Sequence, residues 1–172
     1  IKSSLLMSKA SSLYRCLSKT IFSSSSLLKI LNDEICETTT RGMFVTMIVG
    51  VYDKNKNELL LSNAGHEPPL IFSKDGNFKT IDEAGPPLGI APNFKFTEQI
   101  ISFKESSMYI FTDGITEMKN NNGEMLGQEG FQDYIKKYQS TPNNKRLQKM
   151  IEDLISSGRI QKDDLTIVTV DG

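Results

Sequence analysis

The sequence predicts an α+β domain with mainly antiparallel sheets. Three observations lead there. Two apolar stripes at helical spacing open the chain, short β-branched segments separated by polar turns fill its middle, and two more helical stretches precede a last apolar strand. Helices, hairpin-linked strands, helices and a strand thus come in blocks, which is the α+β pattern. At 172 residues, with no internal repeat, a single domain over residues 1–172 is expected, long enough to bury one core without staples.

The first helix is expected over Ser3 to Phe22, from Leu5, Leu6, Leu13, Leu17 and Ile21 with no interrupting proline. Ser23-Ser24-Ser25-Ser26 breaks that stripe and can supply the N-cap of a second helix, marked by Leu27, Leu28, Ile30, Leu31 and Ile35 and ending near Glu37. Thr38-Thr39-Thr40 is a short connector. Met43 to Tyr52 reads as a strand, Asp53 to Asn57 as a polar turn and Glu58 to Ser62 as its hairpin partner. Asn63-Ala64-Gly65-His66 and Pro68-Pro69 lead to a strand over Leu70 to Ser73. A turn at Lys74 to Asn77 and a short strand over Phe78 to Ile81 come next. After the stiff loop Gly85-Pro86-Pro87-Leu88-Gly89, strands are expected over Phe94 to Phe103 and Ser107 to Thr112. Helices are expected around Gly130 to Gln139 and Asn144 to Ser157, with a final strand over Leu165 to Val170.

Composition narrows the function classes. Hydrophobic residues make up 38% and charged residues 24%, a globular balance rather than a disordered one. A net charge of -1 without a basic stripe argues against nucleic acid as a partner. The longest apolar runs, such as Ile48 to Tyr52, fall far short of the roughly 20 residues that span a bilayer, and no secretory segment opens the chain. Cys16 and Cys36 read as free thiols in a reducing cytoplasm, and two cysteines with one histidine do not make a zinc site.

Two acidic segments could carry chemistry. Asp113 ends an apolar strand and is followed by Gly114, where backbone can turn closely around a hard cation. Taken alone, the pair reads first as an ordinary Asp-Gly turn. Asp163 and Asp164 stand just before the last strand. They must be solvated or bound to a cation, and in an extended segment only one of them faces a given site. His66, the only histidine, reads as a general acid or, more simply, as a residue bonding its own tight connector. Glu117 reads as a group behind Asp113 or as a solvated acid. No nucleophile motif and no phosphate-binding glycine loop is present.

Five segments in order are more specific than any one of them. They are Gly42-Met43-Phe44-Val45-Thr46-Met47, Asn63-Ala64-Gly65-His66-Glu67-Pro68-Pro69-Leu70, Gly85-Pro86-Pro87-Leu88-Gly89-Ile90, Phe111-Thr112-Asp113-Gly114-Ile115-Thr116-Glu117 and Asp163-Asp164-Leu165-Thr166-Ile167-Val168. Together they closely resemble the SpoIIE/RsbU branch of the protein phosphatase 2C-like (PPM) superfamily, from about Leu5 to Val170. The resemblance implies an αββα sandwich, two mainly antiparallel sheets flanked by helices. It implies a site for two Mn²⁺ or Mg²⁺ ions, whose bound water attacks the phosphorus of phosphoserine or phosphothreonine; two cations suit that chemistry. Matched position by position, Asp113 and Asp163 are the implied metal ligands, with Gly114 and Asp164 adjacent to the metal. The second and third segments match motifs that look architectural, and no catalytic role is carried onto His66.

The chain departs from the family pattern at its start. The family's first metal aspartate lies in a Gly-Asp segment, and a Gly-His-Gly segment runs into the first helix. Ser4-Leu5-Leu6-Met7 resembles the start of that helix, and Asp33 and Asp53 do not replace the earlier acids. The expectation is an N-terminally truncated domain that is weak or inactive alone. The resemblance further implies a phosphorylated STAS-type anti-sigma-factor antagonist as substrate, in sigma-factor or stress signalling, and an upstream sensor domain. The full-length protein would be free in the cytoplasm or anchored to a membrane. The alternative is a catalytically inactive binding module in a partner-switching pathway. The apolar stripes of the first two helices read as core packing or as the surface of a homodimer.

Overall fold

The computed structural model describes residues 2–38, 42–81, 85–103 and 105–172. In chain order its elements are α1 (Lys2–Leu17), α2 (Ser24–Thr38), β1 (Met47–Asp53), β2 (Glu58–Ala64), β3 (Leu70–Ser73), β4 (Phe78–Thr80), β5 (Gln99–Ser102), β6 (Ser106–Phe111), α3 (Asp113–Thr116), α4 (Gly127–Lys137), α5 (Asn143–Ser156) and β7 (Ile167–Asp171). Contacts group the chain into two units, Ile1–His66 with Asp82–Lys104, and Glu67–Ile81 with Glu105–Gly172. Each holds one antiparallel sheet with its helices, the α+β composition that the sequence predicts. Among the described residues, no helix is long and apolar enough to cross a membrane. Of the connector expected at Thr38 to Thr40, Thr39 and Thr40 lie outside the described residues.

The first unit carries the sheet β1-β2-β5. Leu27, Leu28, Leu31 and Ile35 form one buried stripe of α2 and pack with Leu6, Ala10, Val45, Val49, Ala64, Leu88 and Phe96. On α1 the buried side is that of Leu6 and Ala10, while Leu5, counted in the predicted stripe, is exposed. That helix stops at Leu17, five residues short of the predicted end, and the turn after it closes with the Leu17 carbonyl accepting from the amides of both Thr20 and Ile21. As expected of the serine run, Ser23 Oγ accepts from the amide of Ser26 at 3.2 Å.

A larger share of this helix start falls to Glu98, which the sequence does not single out. Its Oε2 accepts from the Ser24 amide at 2.8 Å, Ser24 Oγ at 2.8 Å and Ser23 Oγ at 3.3 Å. A carboxylate at a helix N-terminus satisfies amides that have no partner within the helix. This contact also corrects the strand predicted from Phe94 to Phe103, of which only Gln99–Ser102 is strand. Before it, Thr97 offers its carbonyl to Ser62 Oγ at 2.7 Å, and the Phe94 and Phe96 rings meet edge-on at 5.0 Å. The segment is spent on helix capping and core packing rather than on a ladder. The strand predicted from Met43 likewise begins only at Met47, since Val45 makes an isolated bridge with Leu88.

The second unit carries the sheet β4-β3-β6-β7. Phe131 and Ile135 of α4, and Met150 and Leu154 of α5, recur at i, i+4 and pack with Leu70, Phe72, Tyr109 and Phe111 of the sheet. Phe131 is fully buried against Phe111, with ring centroids 4.8 Å apart. Arg146 of α5 is buried too. It donates to Tyr109 Oη at 2.9 Å and Ser107 Oγ at 3.2 Å, and pairs with Asp171 at 3.3 Å. One buried cation thus ties the helix to both β6 and β7.

Two measurements test this packing. Phe131→Ala should lower the free energy of unfolding by about 3–5 kcal/mol, read from denaturant titration. Burial pushes the Glu98 carboxyl up, but hydrogen bonds from Ser24 Oγ, the Ser25 and Ser24 amides and Ser23 Oγ outweigh it and hold it below the ordinary 4.5. A lowered folded value means stability that is present above pH 4.5 and lost as pH falls through the folded value. Glu98→Gln should therefore be less stable than wild type at neutral pH, with the gap closing below pH 4.5 in acid titrations of the melting temperature.

Candidate metal site

The place of the site residues is set by the pairing of β6 with β7. The two strands run antiparallel, from Ser107 opposite Asp171 to Phe111 opposite Ile167. The end of one and the start of the other therefore lie at the same end of the sheet. Asp113 comes two positions after the first, and Asp163 and Asp164 precede the second.

Beyond the last ladder pair the segments stay joined. The Thr112 amide donates to the Thr166 carbonyl at 3.2 Å. Thr112 Oγ1 donates to the Asp164 carbonyl at 3.2 Å and accepts from the Thr166 amide at 3.2 Å. Asp113 then opens the short helix α3, which the sequence leaves as a turn. Ile115 and Met118, both buried, root that turn in the core of the unit, and half-buried Leu165 does the same for the opposite segment.

At Gly114 the two segments lie in close contact. A Cβ built there would lie 2.4 Å from the Asp164 carbonyl oxygen and 3.5 Å from the carbonyl carbon of Asp163. Only a residue without a side chain fits, so the need for glycine here is one of space. Asp163 sits at a bend rather than in extended chain, which removes the premise that it and Asp164 must point to opposite sides. Its Oδ1 accepts from the Asp164 amide at 2.7 Å, and Gln161 Nε2 donates to its carbonyl at 2.9 Å.

Asp113, Asp163 and Asp164 are all exposed, so water already solvates them and their charge alone does not require a cation. Their all-oxygen chemistry and the close-packed Gly114 suit a hard divalent ion in kind. In number they fall short of a full ligand set. Among the described residues, no group of three or more His, Cys, Asp or Glu could hold a metal ion. The described residues thus fit part of a Mn²⁺ or Mg²⁺ site.

Asp33 lies in α2 and pairs with Lys29 at 2.8 Å, and Asp53 accepts from the Asn55 amide in the hairpin turn. Glu117 is exposed, with its amide donating to the Asp113 carbonyl at 2.8 Å. His66 stands in a bonded connector: fully buried Asn63 accepts from its amide at 2.9 Å and donates to its carbonyl at 2.8 Å. Gly65 has a positive φ of 65° and so little room that a Cβ would strike Pro87. Asn32 of α2 accepts from the Gly89 amide at 3.0 Å and donates to the Ala91 carbonyl at 2.8 Å. In the first unit, Asn63 to His66 and Gly89 are therefore held by structural contacts. Thr112 and Gln161 escape sequence reasoning as supports of the acids, because their partners are distant in sequence or are backbone carbonyls.

The family model described as Stage II sporulation protein E (SpoIIE) matches residues 1–171. Protein IcfG of Synechocystis is 31% identical over 147 residues, 83% of this chain and 23% of that protein. Phosphoserine phosphatase RsbU of Bacillus subtilis is 27% identical over 149 residues, 85% of this chain and 44% of that protein. The chain thus spans less than half of either relative. Among solved structures, the RsbU and RsbW domains of Rv1364c from Mycobacterium tuberculosis superpose with a TM-score of 0.79 at 21% identity, over 96% of this chain and 46% of that one. The SiaA-PP2C domain of Pseudomonas aeruginosa gives 0.79 at 14%, over 98% and 69%. RsbX in complex with magnesium gives 0.66 at 16%, over 95% and 71%. These likenesses show the PP2C fold class, as the sequence predicts.

Gly114→Ala tests the local packing. The added methyl must push the Asp164 carbonyl away, costing about 1–3 kcal/mol of stability. Amide shifts in NMR spectra should move at Asp163 to Thr166.

Proposed function

The chain belongs to the SpoIIE family, and from that premise we propose that it is a metal-dependent phosphoserine/phosphothreonine protein phosphatase domain. Asp113 and Asp163 hold a divalent cation, Mn²⁺ or Mg²⁺, with Gly114 and Asp164 beside it. Such a cation, when bound, activates water and neutralises charge on the phosphoryl oxygens. The chain's own part is to place oxygen ligands on two backbone segments brought side by side by the pairing of β6 with β7. The approach of Gly114 to the Asp164 carbonyl is the observation that carries this reading. The magnesium complex of RsbX supports the choice of metal by analogy.

The finer part of the reading concerns the substrate. RsbU is a phosphoserine phosphatase, and the Rv1364c structure joins an RsbU to an RsbW domain. By analogy the substrate is a phosphorylated STAS-type anti-sigma-factor antagonist, in the cytoplasm, with an upstream sensor domain controlling the reaction. A second reading keeps the fold as an inactive binding module of a partner-switching pathway. The small number of acids gathered among the described residues favours it.

Hydrolysis separates the two. The full gene product should hydrolyse p-nitrophenyl phosphate with Mn²⁺ and lose activity on addition of EDTA. Asp113→Asn should reduce the rate by about a hundredfold or more, the scale on which preorganised charge stabilisation acts. Absence of Mn²⁺-dependent turnover would favour the binding module, and turnover unchanged in the variant would overturn the role given to Asp113.

A further inference from the structure

We propose that Thr112 is a positioning residue for the cation site, its hydroxyl setting the spacing between the segment of Asp113 and the segment of Asp163 and Asp164. The proposal rests on the reading of those acids as metal ligands. Thr112 occupies the N-cap position of α3 with extended backbone, yet its side chain makes no cap hydrogen bond to that helix. Threonine at an N-cap ordinarily bonds its own helix start. Here the hydroxyl is turned to the other segment, 52 positions away, and uses both of its capacities there. It donates to the Asp164 carbonyl and accepts from the Thr166 amide, each at 3.2 Å.

The hydroxyl is thus bonded on both sides of Leu165 and adjoins Asp113 in sequence. Just beyond it, Gly114 lies against the same Asp164 carbonyl, so contact and hydrogen bond fix one approach from two directions. The Asp163 side is braced separately, by Gln161 on its carbonyl. Asp164 and Thr166 are exposed, so water can replace the hydroxyl as their partner. Removing the hydroxyl should therefore loosen the spacing of the two segments with little effect on the stability of the whole fold. Groups that hold metal ligands in place without touching the ion commonly change metal affinity by about 10–100-fold when removed.

Calorimetric titration of the full gene product with Mn²⁺ tests this. Thr112→Val should weaken binding by about tenfold or more, with the metal-free melting temperature little changed. Thr112→Ser, which keeps the hydroxyl, should restore the affinity. Should Thr112→Val fail to fold, Thr112→Ala makes the same comparison. Unchanged affinity in the valine or alanine variant overturns the proposal, as does an equal loss in the serine variant, which would assign the effect to the methyl group. Asp113→Asn runs alongside. If it weakens binding while Thr112→Val does not, Thr112 alone is wrongly assigned. If the wild type does not bind Mn²⁺, or Asp113→Asn binds it equally well, the acids are not the ligands and the role of Thr112 falls with them.

Discussion

The antiparallel register of β6 and β7 decides where the acids of the second unit can stand. Because Phe111 faces Ile167, the residues just after β6 must lie beside the residues just before β7. A slip by one residue would turn Tyr109 and Phe111, both buried, out of the core, so the register is strongly specified. The two ends of the pair are secured differently. At one end Arg146 binds Ser107 and Asp171 through charge and hydrogen bonds. At the other, Thr112 holds the acid-bearing segments through its hydroxyl, and the absence of a side chain at Gly114 lets them approach. The buried packing lies beneath the strands, and the exposed Asp113, Asp163 and Asp164 stand at their end.

The first unit shows what the remaining motifs are for. Asn63 closes the turn around His66, Pro87 excludes any side chain at Gly65, and Asn32 holds Gly89 and Ala91 from α2. Each is a buried polar or steric constraint with its partners satisfied, the pattern expected of structural rather than reactive groups. His66 fits this account. Its backbone is bound at both amide and carbonyl, and its ring lies near Thr46 Oγ1 at 3.3 Å.

What the sequence reveals and what it hides divide along one physical line. Local pattern finds the fold class, the hairpin of β1 and β2, the strand Leu70 to Ser73 and both late helices, because periodicity records which face is buried. It misjudges Phe94 to Thr97, whose residues look like strand but are used for packing and for a carbonyl bond to Ser62. It passes over Glu98, whose helix partner is 74 positions away, and Arg146, which resembles the surface lysines around it in α5. The acids are singled out by motif and not by pattern. Asp113 alone is a turn residue. The Gly114 approach gives a physical reason for its neighbour, which spacing could not supply. Thr112 escapes notice because its partners become neighbours only through strand pairing.

Asp113 and Asp163 are the residues proposed to ligate a divalent cation at the end of β6 and β7. Anomalous diffraction from crystals of the full gene product grown with Mn²⁺ tests this most directly. A manganese peak within coordination distance of both carboxylates is the predicted result. A peak bonded to neither of them, or no peak at all at saturating Mn²⁺, would contradict it.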